Sequence, residues 1–260
     1  MRIARFTTEG GEPRYGVVEG AASEEIVAVV AGDPIYRPVQ FTGQRLPLAD
    51  VRLLAPVIPR SKIVGVGRNY ADHAAELGNE LPAEPLLFIK PNTAVIGPGD
   101  PIVLPRQSAE VHFEGELAIV IGKLCKDVPA ERAAGVIFAY TVGNDVTARD
   151  LQRRDEQWAR AKGFDTFCPL GPWLETELDP ADLSIRTAVN GDVKQDDRTS
   201  KLIFDVLTLV AYISAAFTLL PGDVILTGTP AGVGPIVAGD RVGVTVEGIG
   251  TLENQVASRE

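Results

Sequence analysis

The sequence is poor in several residue types, and each scarcity excludes a class of protein. Its 260 residues include two cysteines, Cys125 and Cys168, without the spacing typical of a disulfide framework or a zinc site. The N-terminus has no apolar segment of signal-peptide length, and the longest uncharged apolar stretch, residues 206–220, is too short to span a bilayer. We therefore expect a cytoplasmic protein whose thiols are reduced.

Positive charge is also scarce. Lysine and arginine number 25 against 35 acidic residues, which gives a net charge of −10 and a pI of about 4.8. No cluster of basic residues offsets this balance, so nucleic acid and anionic membranes are not expected as partners. The contents of apolar residues, 45%, and charged residues, 23%, are those of an ordinary globular protein.

Short apolar runs separated by glycine, proline and acidic turns predict an α+β protein dominated by strands. Residues 1–57 are expected to form a small β-rich N-terminal domain, and residues 58–260 a larger second domain. Prolines stiffen the segment 55–60 and make it a plausible hinge. Strands are predicted at residues 3–6, 15–18, 26–30, 63–66, 86–89, 185–189, 224–226 and 241–246.

Helices are predicted to be few, and strict β-α-β alternation is missing. The last is apolar, with Asp205 as its candidate N-cap, and the one before it is charged and stops at Gly163. The first ends at Gly78. The four predicted helices cover residues 71–77, 130–134, 148–161 and 206–217.

Two glutamates in a predicted strand, residues 111–121, are the most informative feature. Alternation along a strand places Glu114 and Glu116 on one face, and Asp145 ends a second apolar run. Buried carboxylates are costly without a cation between them, and three oxygen donors suit a six-coordinate Mg²⁺ or Mn²⁺. The alternative is a solvated strand face that carries acids. His112, on the same face, is interpreted as a hydrogen-bond partner of a carboxylate, or as a ligand.

His73 and Glu76 are three residues apart on the first predicted helix and therefore share a face. A hydrogen bond to Glu76 would hold one ring nitrogen and leave the other free as a proton acceptor; the alternative is a surface pair without a role. Lys162 either complements a helix C-terminus or faces a substrate carboxylate or enolate.

Two glycine-containing turns complete the set of candidates. Residues 65–69 lack the spacing of a dinucleotide site and are interpreted as a tight turn that presents Arg68 and Asn69. The turn at residues 226–230 offers hydroxyls and amides, including Thr229, that could line a pocket or serve as scaffold.

Taken together, the motifs resemble the fumarylacetoacetate hydrolase superfamily from Lys62 to the C-terminus. The resemblance implies a mixed β-sandwich or β-roll catalytic domain in a homodimer, with Mg²⁺ or Mn²⁺ on Glu114, Glu116 and Asp145, an ion that Ca²⁺ could replace in crystals. The motifs that carry the resemblance are residues 68–76, 88–91, 112–117, 144–152, 161–165, 197–204 and 226–234.

The resemblance also implies a small anionic 2-oxo or 2-hydroxydienoic acid as substrate. Gln152, Lys162 and Thr229 match the family's pocket, His73 and Glu76 match its lid dyad, and Arg68 or Arg149 would add positive charge for the substrate. The first hypothesis is a hydrolase or decarboxylase that cleaves a C–C bond in an acylpyruvate, a fumarylacetoacetate-like acid or oxaloacetate. The alternatives are a 2-hydroxyhepta-2,4-diene-1,7-dioate isomerase of aromatic-acid breakdown and, more remotely, a non-catalytic binding protein of the same fold.

Overall fold

The computed structural model describes residues 1–21, 24–76, 78 and 80–259, and most of its regular structure is β. The strands are, in chain order, β1 (Arg2–Thr7), β2 (Arg14–Glu19), β3 (Ile26–Val30), β4 (Phe41–Pro47), β5 (Arg52–Leu54), β6 (Ile63–Gly67), β7 (Leu86–Lys90), β8 (Val95–Ile96), β9 (Ile102–Leu104), β10 (Val111–Phe113), β11 (Gly115–Ile121), β12 (Ile137–Asn144), β13 (Thr147–Ala148), β14 (Cys168–Glu175), β15 (Ser184–Val189), β16 (Asp192–Arg198), β17 (Val224–Leu226), β18 (Gly234–Pro235), β19 (Arg241–Val246) and β20 (Gly250–Ser258). The α-helices are α1 (Ala71–Glu76), α2 (Ala130–Ala133), α3 (Arg149–Arg154), α4 (Ala159–Gly163) and α5 (Val206–Ala216).

These strands form three sheets. The largest has the order β4-β3-β2-β1-β14-β12-β11-β17-β6-β7, with β5 on β1 and β8 on β14. A five-stranded sheet has the order β16-β15-β19-β20-β9, and a three-stranded sheet has the order β13-β10-β18. Most pairs are antiparallel, and the parallel pairs among the described strands are β6 with β17, β8 with β14 and β9 with β20. The predicted α+β class with few helices is confirmed.

Side chains alternate along β11, which is buried throughout. Leu117, Ile119 and Ile121 lie in the main hydrophobic core, between this strand and the five-stranded sheet. Ala118 and Val120 lie in a second core on the opposite face. Burial on both faces makes this strand the centre of the fold and explains its almost continuous apolar sequence.

The N-terminal strands continue the largest sheet. The predicted strands at residues 3–6, 15–18 and 26–30 are confirmed as β1, β2 and β3. Strand β1 pairs with β14, with Ile3 opposite Leu174. Ala55 and Val57, in the proposed hinge, are buried. The domain boundary at residues 57 and 58 stays a prediction, because one sheet runs through both parts.

The last predicted helix is confirmed as α5, and the Asp205 carboxylate accepts a hydrogen bond from the Thr208 N–H at 2.8 Å. At eleven residues α5 is the longest helix of the described chain, and no described helix is long and apolar enough to cross a membrane. The predicted helix at 130–134 is confirmed as α2. Helix α1 begins at Ala71 as predicted, but Leu77, in its predicted last turn, lies outside the described residues.

The single helix predicted at residues 148–161 is wrong. The chain forms α3 and α4 instead, with extended backbone at Asp155 between them. Arg160 pairs with Asp155 across this break. Trp158 packs edge-on against Phe88, with ring centroids 5.7 Å apart. These two contacts stabilise the interruption, and neither can be seen in the helical periodicity of the segment.

Candidate active site

The β11–β12 pair brings the three predicted acids together. Gly115 lies opposite Asn144, so that Glu114 and Asp145 are neighbours at the same end of the two strands. The Glu114 carbonyl accepts from the Asp145 N–H at 2.8 Å, and the Glu114 N–H donates to the Asn144 side-chain carbonyl at 2.9 Å. Carboxylate oxygens of Glu114, Glu116 and Asp145 lie within 4.8 Å of one another, and all three residues are buried.

The strand predicted over residues 111–121 is interrupted at Glu114, which separates β10 from β11. His112 lies on β10, and its Nε2 is 3.0 Å from a carboxylate oxygen of Glu110. The carboxylate that it contacts is therefore Glu110, and His112 is not part of the acidic cluster among the described residues. The predicted hydrogen bond to a carboxylate is present, but its partner Glu110 is not one of the three clustered acids, and the position of His112 outside their cluster opposes the ligand alternative.

Three buried cations surround the acids. The Lys162 ammonium donates to Glu114 Oε2 at 2.8 Å and to Asp145, and Arg149 donates to Glu114. Lys90, at the end of β7, donates to the other Asp145 oxygen. Three cations formally balance three carboxylates, and such pairing is what allows charged groups to remain ionised inside a protein.

The cations are not shared equally among the acids. Burial acts to raise the pKa of Glu114, but Lys162 and Arg149 outweigh it and hold that pKa far below the ordinary 4.5. Burial also raises the pKa of Glu116, and the charges of Asp145 and Glu114 raise it further, well above 4.5. A backbone amide, the N–H of Gly228 at 2.6 Å, donates to Glu116. The cluster therefore favours additional positive charge beside Glu116.

This donor set fits a hard divalent cation. The donors are carboxylate oxygens that lie close together. An ion between them would supply positive charge to Glu116, as the ion pairs with the lysines and the arginine do to Glu114 and Asp145. The structure thus contains a buried acidic cluster suited to a divalent ion such as Mg²⁺ or Mn²⁺.

A cavity of about 460 Å³ opens onto the cluster. Of the nine predicted site residues, Asp145 is the one absent from its lining among the described residues, and its carboxylate is paired with Lys90 and Lys162. The other eight line the cavity together: Arg68, His73, Glu76, Glu114, Glu116, Gln152, Lys162 and Thr229.

The predicted dyad lies on α1, where His73 Nδ1 is 3.4 Å from a Glu76 carboxylate oxygen. Glu76 is fixed in turn by the Gly232 N–H, 3.1 Å from each carboxylate oxygen. Burial lowers the pKa of His73 below the ordinary 6.5, although Glu114 and Glu76 oppose this shift. The imidazole is therefore neutral at pH 7 and can accept a proton.

Lys162 remains a cation in the same cavity. Burial acts to lower the pKa of its ammonium group, but Asp145 and Glu114 overcome that effect and raise the pKa above the ordinary 10.5. Lys162 therefore contributes positive charge and does not act as a base. Its ammonium also lies 4.9 Å from the centre of the Phe88 ring.

The predicted turn after β6 presents one of its two polar residues to the cavity. Arg68 adopts a left-handed backbone conformation, φ +58°, and lines the cavity. Asn69 is buried, and its side-chain amide donates to the carbonyls of Phe204 and Thr227 at 3.0 and 2.8 Å. Asn69 therefore ties the turn to the neighbouring loops and does not face the cavity.

The sequence analysis assigned no individual role to several residues of the site. Trp158 lines the cavity, and a side chain at Gly67 would collide with its ring at 2.8 Å. Lys90 carries a signal in hindsight, since a charged residue ends an apolar strand and is followed by proline. Asn144 and Gln195 have no local signal, because their partners at the site lie 30 and 80 residues away.

Comparison with known proteins adds an independent finding. The family model described as Fumarylacetoacetate (FAA) hydrolase C-terminal matches residues 62–257. A second model, described as Rv2993c-like, N-terminal, matches residues 1–56. The first of these models covers well over half of the chain, including every residue of the candidate site.

Individual relatives agree with the family models. The crystal structure of a 5-carboxymethyl-2-hydroxymuconate delta-isomerase from Mycobacterium smegmatis is 56% identical, with a TM-score of 0.92 and complete coverage of both chains. A maleylpyruvate hydrolase from Sphingobium sp. SYK-6, in complex with manganese(II) and pyruvate, is 36% identical, with a TM-score of 0.81 and complete coverage of both. The mitochondrial oxaloacetate tautomerase FAHD2A of Bos taurus is 45% identical over 223 residues, 81% of this chain and 71% of that protein.

These matches, together with a buried acidic cluster that opens onto a cavity, show that the chain is an enzyme of the fumarylacetoacetate hydrolase superfamily.

Proposed function

We propose that the enzyme cleaves a C–C bond, by hydrolysis or decarboxylation, in a small 2-oxo or 2-hydroxydienoic acid. Acylpyruvates, fumarylacetoacetate-like acids and oxaloacetate are the candidates. The observation that carries the proposal is one cavity lined both by the buried carboxylates and by a neutral, hydrogen-bonded histidine. Glu114, Glu116 and Asp145 would hold Mg²⁺ or Mn²⁺, and the manganese complex of the Sphingobium relative supports this assignment.

A bound divalent ion would supply Lewis-acid polarisation of the 2-oxo group. The chain itself supplies further positive charge to the cavity through Lys162 and Arg149. Both side chains are buried and hydrogen-bonded, so their positions are fixed before substrate arrives. Fixed charges at a site of low dielectric stabilise negative charge that develops on an enolate.

His73 would act as the general base for hydrolysis. It takes a proton from water as the water oxygen adds to the distal carbonyl carbon. The C–C bond then breaks, its electron pair passes to the carbon next to the 2-oxo group, and that carbon takes up a proton. The products are a 2-oxo acid and a carboxylic acid. Glu76 keeps the imidazole oriented through Nδ1.

The rest of the cavity wall suits an anionic substrate. Arg68, a cation, lines the cavity. Gln152 lines it as well, and its side-chain carbonyl accepts from Arg149 at 2.6 Å. Thr229 lines the cavity too. We propose that Arg68 and Gln152 contact the substrate through their polar groups and Thr229 through its methyl group, with Arg68 attracting the substrate's negative charge against the net charge of the protein.

A panel of 2-oxo acids tests this proposal. Acylpyruvates of increasing tail length, a fumarylacetoacetate-like acid and oxaloacetate are incubated with the purified enzyme and Mg²⁺ or Mn²⁺, and products are identified by mass. We expect cleavage that requires the metal and stops with EDTA. Absence of metal-dependent cleavage of every member would contradict the proposal.

The second candidate is isomerisation or tautomerisation of a related acid. It is favoured by the names of two relatives, the isomerase at 56% identity and the oxaloacetate tautomerase at 45%. His73 and Glu76 could move a proton between carbon atoms of the substrate without water. Product mass separates the two reactions: isomerisation leaves the mass unchanged and exchanges carbon-bound hydrogen in D₂O, whereas cleavage yields two products.

We propose a homodimer in the cytoplasm, acting on a small anionic acid and binding neither nucleic acid nor membrane. The two buried cysteines are free thiols, which suits a reducing compartment, and the net charge is −10. Light scattering on the purified protein tests the dimer: a mass of one chain at micromolar concentration would contradict it.

A further inference from the structure

A closed ring of hydrogen bonds holds the peptide between the two glutamates of the acidic cluster. The Gly115 N–H donates to Oε1 of Gln195 at 3.0 Å. The Gly115 carbonyl accepts from the Thr229 hydroxyl at 2.9 Å. Gln195 Nε2 in turn donates to that hydroxyl at 2.7 Å. Both polar groups of Gly115 are thus bound by side chains that also bind each other.

Gln195 reaches this peptide from outside the site. It is the one buried residue of β16, a strand whose other positions are polar or exposed. Its amide also donates to the Pro230 carbonyl at 2.7 Å, so its three side-chain hydrogen bonds join the Gly115 peptide to the loop that contains Thr229. Among the described residues that line the cavity, Gln195 is not included. Its side-chain hydrogen bonds are to the protein itself, at Gly115, Thr229 and Pro230.

The Thr229 hydroxyl proton is already committed. It points to the Gly115 carbonyl, and the oxygen accepts from Gln195. A hydroxyl has one proton to donate, so Thr229 cannot donate to a substrate without breaking the ring. Thr229 lines the cavity, but its hydroxyl acts on the protein backbone.

The same loop holds the next two residues of β11. The Gly228 N–H donates to the Glu116 carboxylate, and Thr227 donates to the Leu117 carbonyl through its hydroxyl at 2.9 Å. Gly228 has a φ of +103°, and a side chain there would lie 2.7 Å from Cβ of Asn69. The loop thus follows β11 residue by residue from Gly115 onward.

We propose that Gln195 and Thr229 are positioning residues, which fix the Gly115 peptide so that the flanking Glu114 and Glu116 carboxylates converge on one divalent ion. This inference rests on the metal site of the proposed function. Partners that orient metal ligands contribute to metal affinity even though they do not touch the ion. The proposal separates these two residues from Arg68 and Gln152, whose proposed role is toward substrate.

Mn²⁺ affinity of the purified, metal-depleted protein tests the proposal, measured by calorimetry or electron paramagnetic resonance. Thr229→Val removes the hydroxyl with little change of shape, Thr229→Ser retains it, and Gln195→Leu removes the amide. Thr187→Val is the matched control. Thr187 is buried beside Gly115, and its hydroxyl has no hydrogen-bond partner in the described chain.

We expect Thr229→Val and Gln195→Leu each to weaken Mn²⁺ binding by about 10- to 100-fold. Thr229→Ser and Thr187→Val should stay within about twofold of the natural protein, since neither removes a hydrogen bond of the ring. Melting temperatures are recorded for all variants. If Gln195→Leu does not fold, the Mn²⁺ affinity of Thr229→Val compared with that of Thr229→Ser tests the proposal.

Three results would overturn the inference. If Thr229→Val raises KM but leaves Mn²⁺ affinity unchanged, the hydroxyl serves the substrate. If Thr187→Val weakens Mn²⁺ binding as much as Thr229→Val, the effect is general loss of packing. If the natural protein itself does not bind Mn²⁺, the proposed metal-dependent function fails, and this inference fails with it; the first two results leave the proposed function intact.

Discussion

The N-terminal strands and the acidic cluster differ in how far their charged side chains are exposed to solvent. The ion pairs of β1 to β4 are separate and at least partly exposed: the side chains are 58% and 36% exposed in the pair of Arg45 with Glu19, and 26% and 20% in the pair of Arg2 with Glu25. The three acids of the cluster and the three cations around them form one group of six buried charged side chains. In the ion pairs of Glu114 and Asp145, no side chain is more than 5% exposed. In the first region the charged side chains are surface features, whereas in the second they form the site itself.

The difference teaches where a change of charge should matter. An exposed pair is solvated with or without its partner, so its loss costs little. Removal of one member of a buried cluster leaves its partners uncompensated and alters the site that they form. Variants of the two regions should therefore differ by orders of magnitude in their effect on activity.

The largest effect is expected for Glu116→Gln. The change keeps the size of the side chain but removes one of the three carboxylates and its charge. Metal binding should be lost, and the metal-dependent rate should fall by at least about 1000-fold, with the fold retained. Calorimetric titration with Mn²⁺, steady-state kinetics and circular dichroism measure these quantities.

Glu175→Gln is the matched control for this prediction. Glu175 is also a buried glutamate, but it lies at the end of β14 and pairs with the N-terminal ammonium. Mn²⁺ affinity and rate should be unchanged. A comparable loss of Mn²⁺ binding in both variants would contradict the claim that the acidic cluster is distinct from other buried charge.

A smaller loss is expected for His73→Gln. Removal of a general base lowers rates by roughly 10²- to 10⁴-fold, while Mn²⁺ affinity should persist because His73 is outside the acidic cluster. Asp72→Asn, an exposed change on the same helix, is the control and should leave both quantities unaltered. An unaltered hydrolysis rate in His73→Gln would remove the base role.

The pH profile sharpens the assignment of His73. A base must be neutral, and burial lowers the pKa of His73 below 6.5. The rate should therefore rise with pH through a midpoint below 6.5 and level off above it. Glu76 raises that pKa, so Glu76→Gln should move the midpoint to lower pH. A midpoint above 6.5, or one unmoved in Glu76→Gln, would contradict the dyad.

The local sequence pattern was sufficient to predict much of the fold and part of the site. Alternation predicted the strands of both regions and the common face of Glu114 and Glu116, and the apolar run before Asp145 predicted its place at a strand end. These features depend on residues adjacent in sequence. The α+β class followed from them and did not require the family resemblance.

Other features depend on distant residues and left no local signal. Lys90 meets Asp145 across 55 residues, and Gln195 meets Gly115 across 80. Gln195 belongs to β16, a strand so polar that it was not predicted at all. The break between α3 and α4 depends on the packing of Trp158 against Phe88. Tertiary contacts decide such positions, and local propensity does not.

A modest effect on stability alone is expected for Asp205→Ala. Its carboxylate caps α5, away from the cavity, and loss of such a cap costs about 1 kcal/mol. Urea unfolding should show this decrease in the free energy of unfolding, with Mn²⁺ affinity unaltered. A fall in Mn²⁺ affinity would contradict this, because it would mean that the stability of α5 affects metal binding at the acidic cluster.

The smallest effect is expected for Arg45→Ala in the N-terminal sheet. Its pair with Glu19 is exposed, so the free energy of unfolding should change by less than about 1 kcal/mol. Rate and Mn²⁺ affinity should be unaltered. A loss of activity here would break the comparison, because it would give the peripheral charges of the first region a role in the chemistry of the second.

The central claim is that Glu114, Glu116 and Asp145 hold one divalent ion. Anomalous diffraction from a crystal soaked in manganese tests it most directly. The account predicts a single strong anomalous peak among the three carboxylates, absent from crystals of Glu116→Gln. A crystal whose peaks all lie elsewhere, with the carboxylates still paired to Lys162 and Arg149 alone, would contradict it.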